Sequence, residues 1–582
     1  MGRELLPERR WLTVPAVRTV LGVIHNVTSA TRLLDVLAVF EGDPRVRTVF
    51  TCTGSSALDG GVAEFAAEHG LFLIPWEEAL AREFDLAVST SRGGELEKIR
   101  APVVGAPHGA GYNKKLSRNP ESGIRNPESG GGVGSGDGAG AFGLSAEWLL
   151  HDGEVVPSAI VLSHEEQYAR LGRHCPEAAP YAHVVGDPCA DQLEASAPFR
   201  EEYREALGVG PGRKLLLITS TWGGNSVLGA SFDTVRRALA ELPYDEYRVV
   251  AAVHPNAWYG HGGWQIRNWL EPALRAGLVL PPPAGQTWKA ALCAADVFLG
   301  DHGSLSLYAA ARGLPGLLAA FDPQAVAPDS PMAWLGERLP RLDPMRPLAA
   351  QLAGAVALPS AAARITSRPG RALALLRALC YRHLGLPEPE SACVARPVPV
   401  PAVPLQAGTA GRGPAAPALY VDVRVAGREV RVRRYPAEPQ RGGGPYLGPD
   451  PHVAAEAAEP DPRLRGLADV LVARPGADPA GVFARNPGCV LVAGPGRLVL
   501  RSGRQFTVPG GVDPGVAGSV LLAVLGEGLD PQGPFTVRVG GAASELRLGA
   551  VGAVASGGAV GAGGAVAAGE ADAGFLDADA AQ

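Results

Sequence analysis

The sequence predicts an α/β protein with two Rossmann-like parallel-sheet domains, over about 15–204 and 205–384. A Pro-rich linker over 385–418 and a small β-rich or α+β domain over 419–549 follow them. Three observations predict this. Short β-branched runs alternate with helical patterns as far as residue 345, which implies parallel βα units. The run Val297–Leu299 ends abruptly in Gly300-Asp301-His302-Gly303-Ser304 before a small-residue helical pattern. Strand, polar loop and helix in that order build ligand sites at the carboxyl ends of parallel strands. Finally, the composition turns to proline after residue 385, and alternating apolar and basic residues resume at 419.

In the first half, Arg18–His25, Val46–Cys52, Leu71–Pro75, Leu86–Ser89, Val103–Gly105, Ala159–Ser163 and His183–Asp187 read as strands. Helices are expected over 28–41 (capped by Thr28 or Ser29), 62–69, 76–83, 165–172 and 198–207. Residues 117–142 repeat Arg-Asn-Pro-Glu-Ser-Gly and then run into glycine, a composition that cannot bury a core, so a disordered insertion is expected. The second half has strands at 214–219, 247–253, 278–280 and 297–299, with helices at 232–242 and 287–295. A helical run over 361–384 closes the pair. The linker reads as extended and semi-rigid. Beyond it, Leu419–Val425 and Glu429–Arg434 form a hairpin around Gly427, and further strands fall at 470–473, 490–493, 498–500 and 535–539. The Gly/Ala tail from about 550 is expected to be disordered.

At 582 residues the chain needs several domains. Its net charge of −6 excludes the electrostatic footprint of a nucleic-acid binder, so no nucleic-acid partner is expected. The seven scattered cysteines form no CxxC and read as isolated thiols in a reducing cytoplasm. Arg18 interrupts the apolar run near the N-terminus, so no signal peptide is expected.

Three loops at strand ends could carry chemistry. His108 follows Val103–Gly105, with Lys114 and Lys115 downstream, and an imidazole there could take a proton from a hydroxyl. His254-Pro255 follows the strand ending at Val253 and could donate to a diphosphate. Asp301, Ser304 and Ser306 supply a carboxylate and two hydroxyls around a helix start, a setting that suits phosphate. Trp222, Gly223 and Gly224 are candidate nucleotide contacts, and His25 and Lys114 candidate acceptor contacts. No Gly-Lys-Ser/Thr ending makes a P-loop, and His164 and His174 lack metal-ligand spacing, so neither a metal nor a cofactor is expected.

The order His108-Gly109-Ala110, Val185-Gly186-Asp187-Pro188-Cys189-Ala190-Asp191, His254-Pro255, Gly300-Asp301-His302-Gly303-Ser304 resembles the GT-B nucleotide-dependent transferases. Within them it resembles the CDP-glycerol glycerophosphotransferase (teichoic acid polymerase) family, over about 15–345. The resemblance implies His108 as catalytic base, with His254 and Ser304 on the donor diphosphate. It also implies a CDP-glycerol or sugar-nucleotide donor, a hydroxyl acceptor that can be lipid-linked, and a cytoplasmic protein peripheral at the inner face of a membrane. Ala110 stands where the family has Thr, Gly303 where it has Ser, and Tyr308 where it has an acidic residue. Two other readings share this architecture: a sugar-nucleotide 2-epimerase-like enzyme, and a catalytically silent scaffold that binds a partner.

Overall fold

The computed structural model describes residues 13–54, 60–115, 141–402, 417–439 and 451–551. The glycine-rich insertion up to residue 140, the linker over 403–416 and the tail from 552 lie outside the described residues.

The first sheet has seven parallel strands. Across the sheet they run Leu73–Ile74, Val46–Cys52, Arg18–Ile24, Leu86–Ser89, Val103–Gly105, Ala159–Leu162 and Ala182–Val184. In chain order this is 3-2-1-4-5-6-7, the doubly wound arrangement that opens a crevice beside the first strand. The second sheet is also parallel: Tyr247–Val253, Lys214–Ser220, Val297–Gly300 and Gly316–Leu318. The run expected as a strand at 278–280 contributes a single bridge, Val279 to Val250, on the outer side of this sheet. The two facing Rossmann-like halves are the GT-B arrangement.

The helix Val27–Leu37 shows how local sequence positions the crevice. Its cap is Asn26, not Thr28 or Ser29: the Asn26 side chain accepts from the Ser29 N–H, and the Ser29 hydroxyl accepts in return from the Asn26 N–H. The helix therefore begins a residue early and turns Thr28, Thr31 and Arg32 toward the second half. Numerically last in the pair, Ala372–Leu384 returns to the first sheet, where Leu376, Leu379 and Tyr381 pack with Val20, Leu33 and Phe40. Asp191 holds its start, accepting from the Gly370 N–H at 2.6 Å and the Ala372 N–H at 2.9 Å.

A buried polar staple joins the halves. Lys289, only 3% exposed, donates to both oxygens of Asp35 (2.8 and 2.9 Å) and to Gln192 (2.6 Å). Arg32 donates to the same Asp35 at 3.0 Å. Beside it the Tyr308 hydroxyl donates to Asp187 at 2.7 Å.

Past the linker, nine strands close into a barrel. The hairpin Leu419–Ala426/Glu429–Pro436 turns at Gly427, whose φ of +64° requires a residue without a Cβ penalty. The apolar helix Pro514–Gly526 packs into the barrel's core through Val516, Val520, Leu521 and Val524. Arg434 fastens the barrel to the second half with two bonds to Asp245 (2.8 and 2.6 Å). Among the described residues no helix is long and apolar enough to cross a membrane.

Candidate functional site between the two halves

The crevice between the halves is lined by loops that leave the carboxyl ends of strands on both sheets. From the first half come Thr90–Arg92 and the loop 106–114, and from the second Thr221, His254 and 301–305. The helix Val27–Leu37 adds Arg32. Parallel strands aim all these loops the same way, which is why residues nearly 200 apart in sequence meet.

The loop after Val103–Gly105 is held firmly. Tyr112 takes a φ of +46°, unusual for a residue with a side chain, and its hydroxyl donates to the Val161 carbonyl at 3.0 Å. Arg170 donates to the carbonyls of Gly111 (3.0 Å) and Tyr112 (2.8 Å). The end of the loop crosses to the other half: the Lys115 N–H donates to Ala325 and the Ala327 N–H to Asn113.

His108 sits half-buried on this loop, edge-on to Phe142 with centroids 5.7 Å apart. Burial, then Lys114, Arg32 and Arg92, push its imidazole down to about 4, so it is neutral near pH 7. The Thr90 backbone works against that shift without reversing it. A neutral imidazole carries a lone pair on one of its ring nitrogens, the form that accepts a proton. The next residue brings the halves together, because a Cβ on Gly109 would lie 3.2 Å from the Ser304 hydroxyl.

His254 caps the helix Pro255–His261, its Nδ1 accepting from the Asn256 N–H at 3.0 Å. Nε2 therefore carries the proton and is a donor. Burial, then Lys114, His108 and Arg32, hold this group well below the ordinary histidine range, again neutral. Ser304 opens the helix Ser304–Ala311 on the crevice wall. Lys114 lies in the crevice with its ammonium 4.6 Å from the ring centroid of Trp222, and burial brings it down to about 8.

Five other expected residues are placed differently. Asp301 is fully buried, and its oxygens accept from three backbone N–H groups: Thr221 (2.8 Å), Val227 (3.0 Å) and Gly303 (2.9 Å). It fixes the loop's shape instead of offering a carboxylate to a ligand, and burial raises it to about 6. The Ser306 hydroxyl, also fully buried, accepts from the Asp301 N–H at 3.1 Å and pairs with Thr219 at 3.1 Å. His25 lies behind the crevice wall, with its ring nitrogens 3.2 Å from Ser89 and 3.2 Å from Thr53; burial, then His108 and Arg92, bring it down to about 3. Gly223 and Gly224 form an exposed turn beyond the half-buried Trp222, with open space around both glycines.

Sequence reasoning missed Arg32 and His302. Arg32 is buried against the rings of Trp288 (5.0 Å) and Tyr308 (5.5 Å), and lines the crevice from the first half. Its only sequence signal is a basic residue amid the apolar positions of a helix. His302 lay inside the motif but was passed over for its neighbours. Among the described lining residues Arg32, Arg92 and Lys114 are cationic, and Asp301 is the only carboxylate. A crevice of that sign in a chain of net −6 suits an anion.

No family model matches the sequence, and no curated protein is detectably similar to it. Among solved structures the chain is similar to the wall teichoic acid polymerase TagF, at 12% identity and a TM-score of 0.42, over 63% of this chain and 90% of that one. It is also similar to S. aureus MnaA in complex with UDP: 11% identity, TM-score 0.38, over 64% and 99% of the two chains. A third is the UDP-GlcNAc 2-epimerase from Neisseria meningitidis bound to UDP-GlcNAc: 12% identity, TM-score 0.39, over 63% and 100%. At these identities the likeness concerns the fold.

Proposed function

We propose that this chain is a GT-B transferase that moves a glycerophosphoryl or glycosyl group from a nucleoside-diphosphate donor to a hydroxyl acceptor, as in the assembly of a cell-envelope polymer. The observation that carries this is the close approach of Gly109, the neighbour of His108, to Ser304 across the crevice, where a Cβ on Gly109 would lie 3.2 Å from the Ser304 hydroxyl. A neutral imidazole on one half thus lines the same crevice as a helix start on the other and the donor N–H of His254. The acceptor hydroxyl loses its proton to the free nitrogen of His108. The oxygen then attacks phosphorus or the anomeric carbon, and the nucleotide leaves with the bonding electrons. His254 and the start of the helix Ser304–Ala311 offset the charge on the diphosphate.

A thermal-shift screen against CDP, UDP and GDP and their glycerol and sugar conjugates tests the donor class. A native-state ligand adds roughly 2.7 kcal/mol of apparent stability at a hundred times Kd. With the donor found, His108→Ala should lower turnover by about 10²–10⁴ while donor affinity is kept. Unchanged turnover ends the assignment of the base. One observation favours a second reading, a silent scaffold: Tyr308 occupies the helix position where an acidic residue was expected, and its hydroxyl is spent on Asp187. Nucleotide binding without turnover on any acceptor would support that reading.

A further inference from the structure

We propose that His302 is a phosphoryl ligand: with the Lys114 ammonium and the first turn of the helix Ser304–Ala311 it forms one oxyanion site that takes the diphosphate of the donor. The proposal rests on the donor reading above and adds to it a residue and a division of labour.

Three observations carry it. His302 lines the crevice and is only 8% exposed, yet its buried Nδ1 has no hydrogen-bond partner among the described residues. Buried polar atoms are paired in the great majority of cases, so an orphan on a side chain that lines a crevice points to a missing ligand. Lys114 makes no ion pair among the described residues, and its ammonium lies over the face of Trp222. The nearby carboxylate of Asp301 is already engaged by three N–H groups. An ammonium so placed is short of a counter-ion. Lastly, the eight-residue helix is capped by Gly303, which has no side chain to offer, so no side chain serves its first turn.

The competing role for His302 is packing, since its ring meets Phe321 edge-on at 6.1 Å. Packing alone leaves Nδ1 unpaired, whereas an oxyanion satisfies His302, Lys114 and the helix start together. Gly109 sets the same helix start beside the His108 loop. The phosphoryl group held there is therefore the one nearest the base.

Isothermal titration of the full chain with inorganic pyrophosphate, CDP, UDP and the phosphate-free nucleosides cytidine and uridine tests this, with melting temperature as the check on folding. His302→Ala and His302→Phe should each weaken pyrophosphate and the nucleoside diphosphates about 10–100-fold and leave the nucleosides within twofold, the scale expected for a hydrogen bond to a charged group. His302→Asn places an amide near the position of Nδ1 and should restore most of the affinity. The Phe variant keeps the edge contact with Phe321, so its failure to bind separates ligation from packing. Pyrophosphate binding within twofold of wild type in His302→Phe overturns the proposal, as does an equal loss of nucleoside and diphosphate. If wild type binds CDP or UDP but His302→Ala binds them equally, only this inference falls. If wild type binds no diphosphate at all, the donor reading falls with it.

Discussion

Replacing Lys289 by Met tests the staple that holds the two halves in register. The ammonium is buried and donates three hydrogen bonds, to both oxygens of Asp35 at 2.8 and 2.9 Å and to Gln192 at 2.6 Å. Removing one partner of a buried ion pair typically costs about 3–5 kcal/mol, because the other charge is left without compensation. Here Asp35 keeps Arg32 at 3.0 Å, and Met fills the volume of the lysine stem, so the loss falls to about 2–3 kcal/mol. For units of 150–250 residues each kcal/mol moves the melting temperature by about 2–4 °C, so the transition of the paired halves should fall by roughly 5–10 °C. Differential scanning calorimetry at pH 7 reads this directly. Arg396→Ala is the control, since Arg396 and Glu41 form a pair exposed to 72% and 58%. Such surface pairs contribute about 0–1 kcal/mol. If Lys289→Met shifts the melting temperature no more than Arg396→Ala does, the staple is not what joins the halves.

Gly109→Ala would press a methyl group against Ser304 at 3.2 Å and shift the base loop by a few tenths of an ångström. We expect kcat/KM to fall about tenfold with the melting temperature kept, since an error of 1 Å can cost about a hundredfold. A base active when unprotonated loses activity as pH falls through its own value, which for His108 is about 4 and not 6.5. The acid limb of kcat/KM should therefore stay flat from pH 7 to 5, and a half-loss near 6.5 would refute the assignment. For stability, His25 has a folded value of about 3, below its ordinary 6.5, so the native state binds fewer protons than the unfolded chain within that window. Stability should fall as pH drops from about 6.5 toward 3, and urea midpoints at pH 7 and 5 should show the decline. Tyr308→Glu would set a second carboxylate against Asp187, which now accepts the tyrosine hydroxyl at 2.7 Å. Two buried like charges disfavour each other, so thermal melting should show a loss of stability and assays no gain in turnover.

What the sequence revealed follows from how local the signals are. Val297–Gly300 and the helix from Ser304 were readable because β-branched burial, a polar turn and a small-residue helix lie in one unbroken stretch. His108 and His254 were readable for the same reason, each following directly on a strand. Asp301 was misjudged because a carboxylate in a polar loop just before a helix start looks like a ligand. Only the fold shows that the Thr221 and Val227 N–H groups, 80 and 74 residues away, converge on it. Asn26 was overlooked as a cap because its box ends in Ser29 and not in Glu or Gln. Arg32 and Lys289 lie on helices where basic residues usually face water, and their burial depends on a partner half that no local pattern encodes. In the last domain the short strands were legible, but their closure was not. Nor was the helix Pro514–Gly526 recognised, although Asp513-Pro514 followed by an apolar run is a start signal, and a helix apolar on all sides belongs in a core.

The carboxylates at the interface are already committed. Asp35 is taken by Lys289 and Arg32, Asp187 by Tyr308 and the N–H groups of Cys189 and Ala190, and Asp301 by the N–H groups of Thr221, Val227 and Gly303. The bonds of Asp35 to Lys289 and of Asp187 to Tyr308 join the halves, and these commitments together leave the crevice wall to Arg32, Arg92, Lys114 and the neutral imidazoles of His108, His254 and His302. Burial and the nearby Lys114 are among the causes that keep all three imidazoles uncharged. A diphosphate entering this crevice would oppose the influence of Lys114 and so raise the affinity of His108 for a proton. On the proposed function, this coupling favours an order in which the donor binds first and makes His108 more basic for the acceptor that follows. The same carboxylate economy explains why a tyrosine is stable at 308: the acidic group at that point is Asp187, supplied from the other side of the interface.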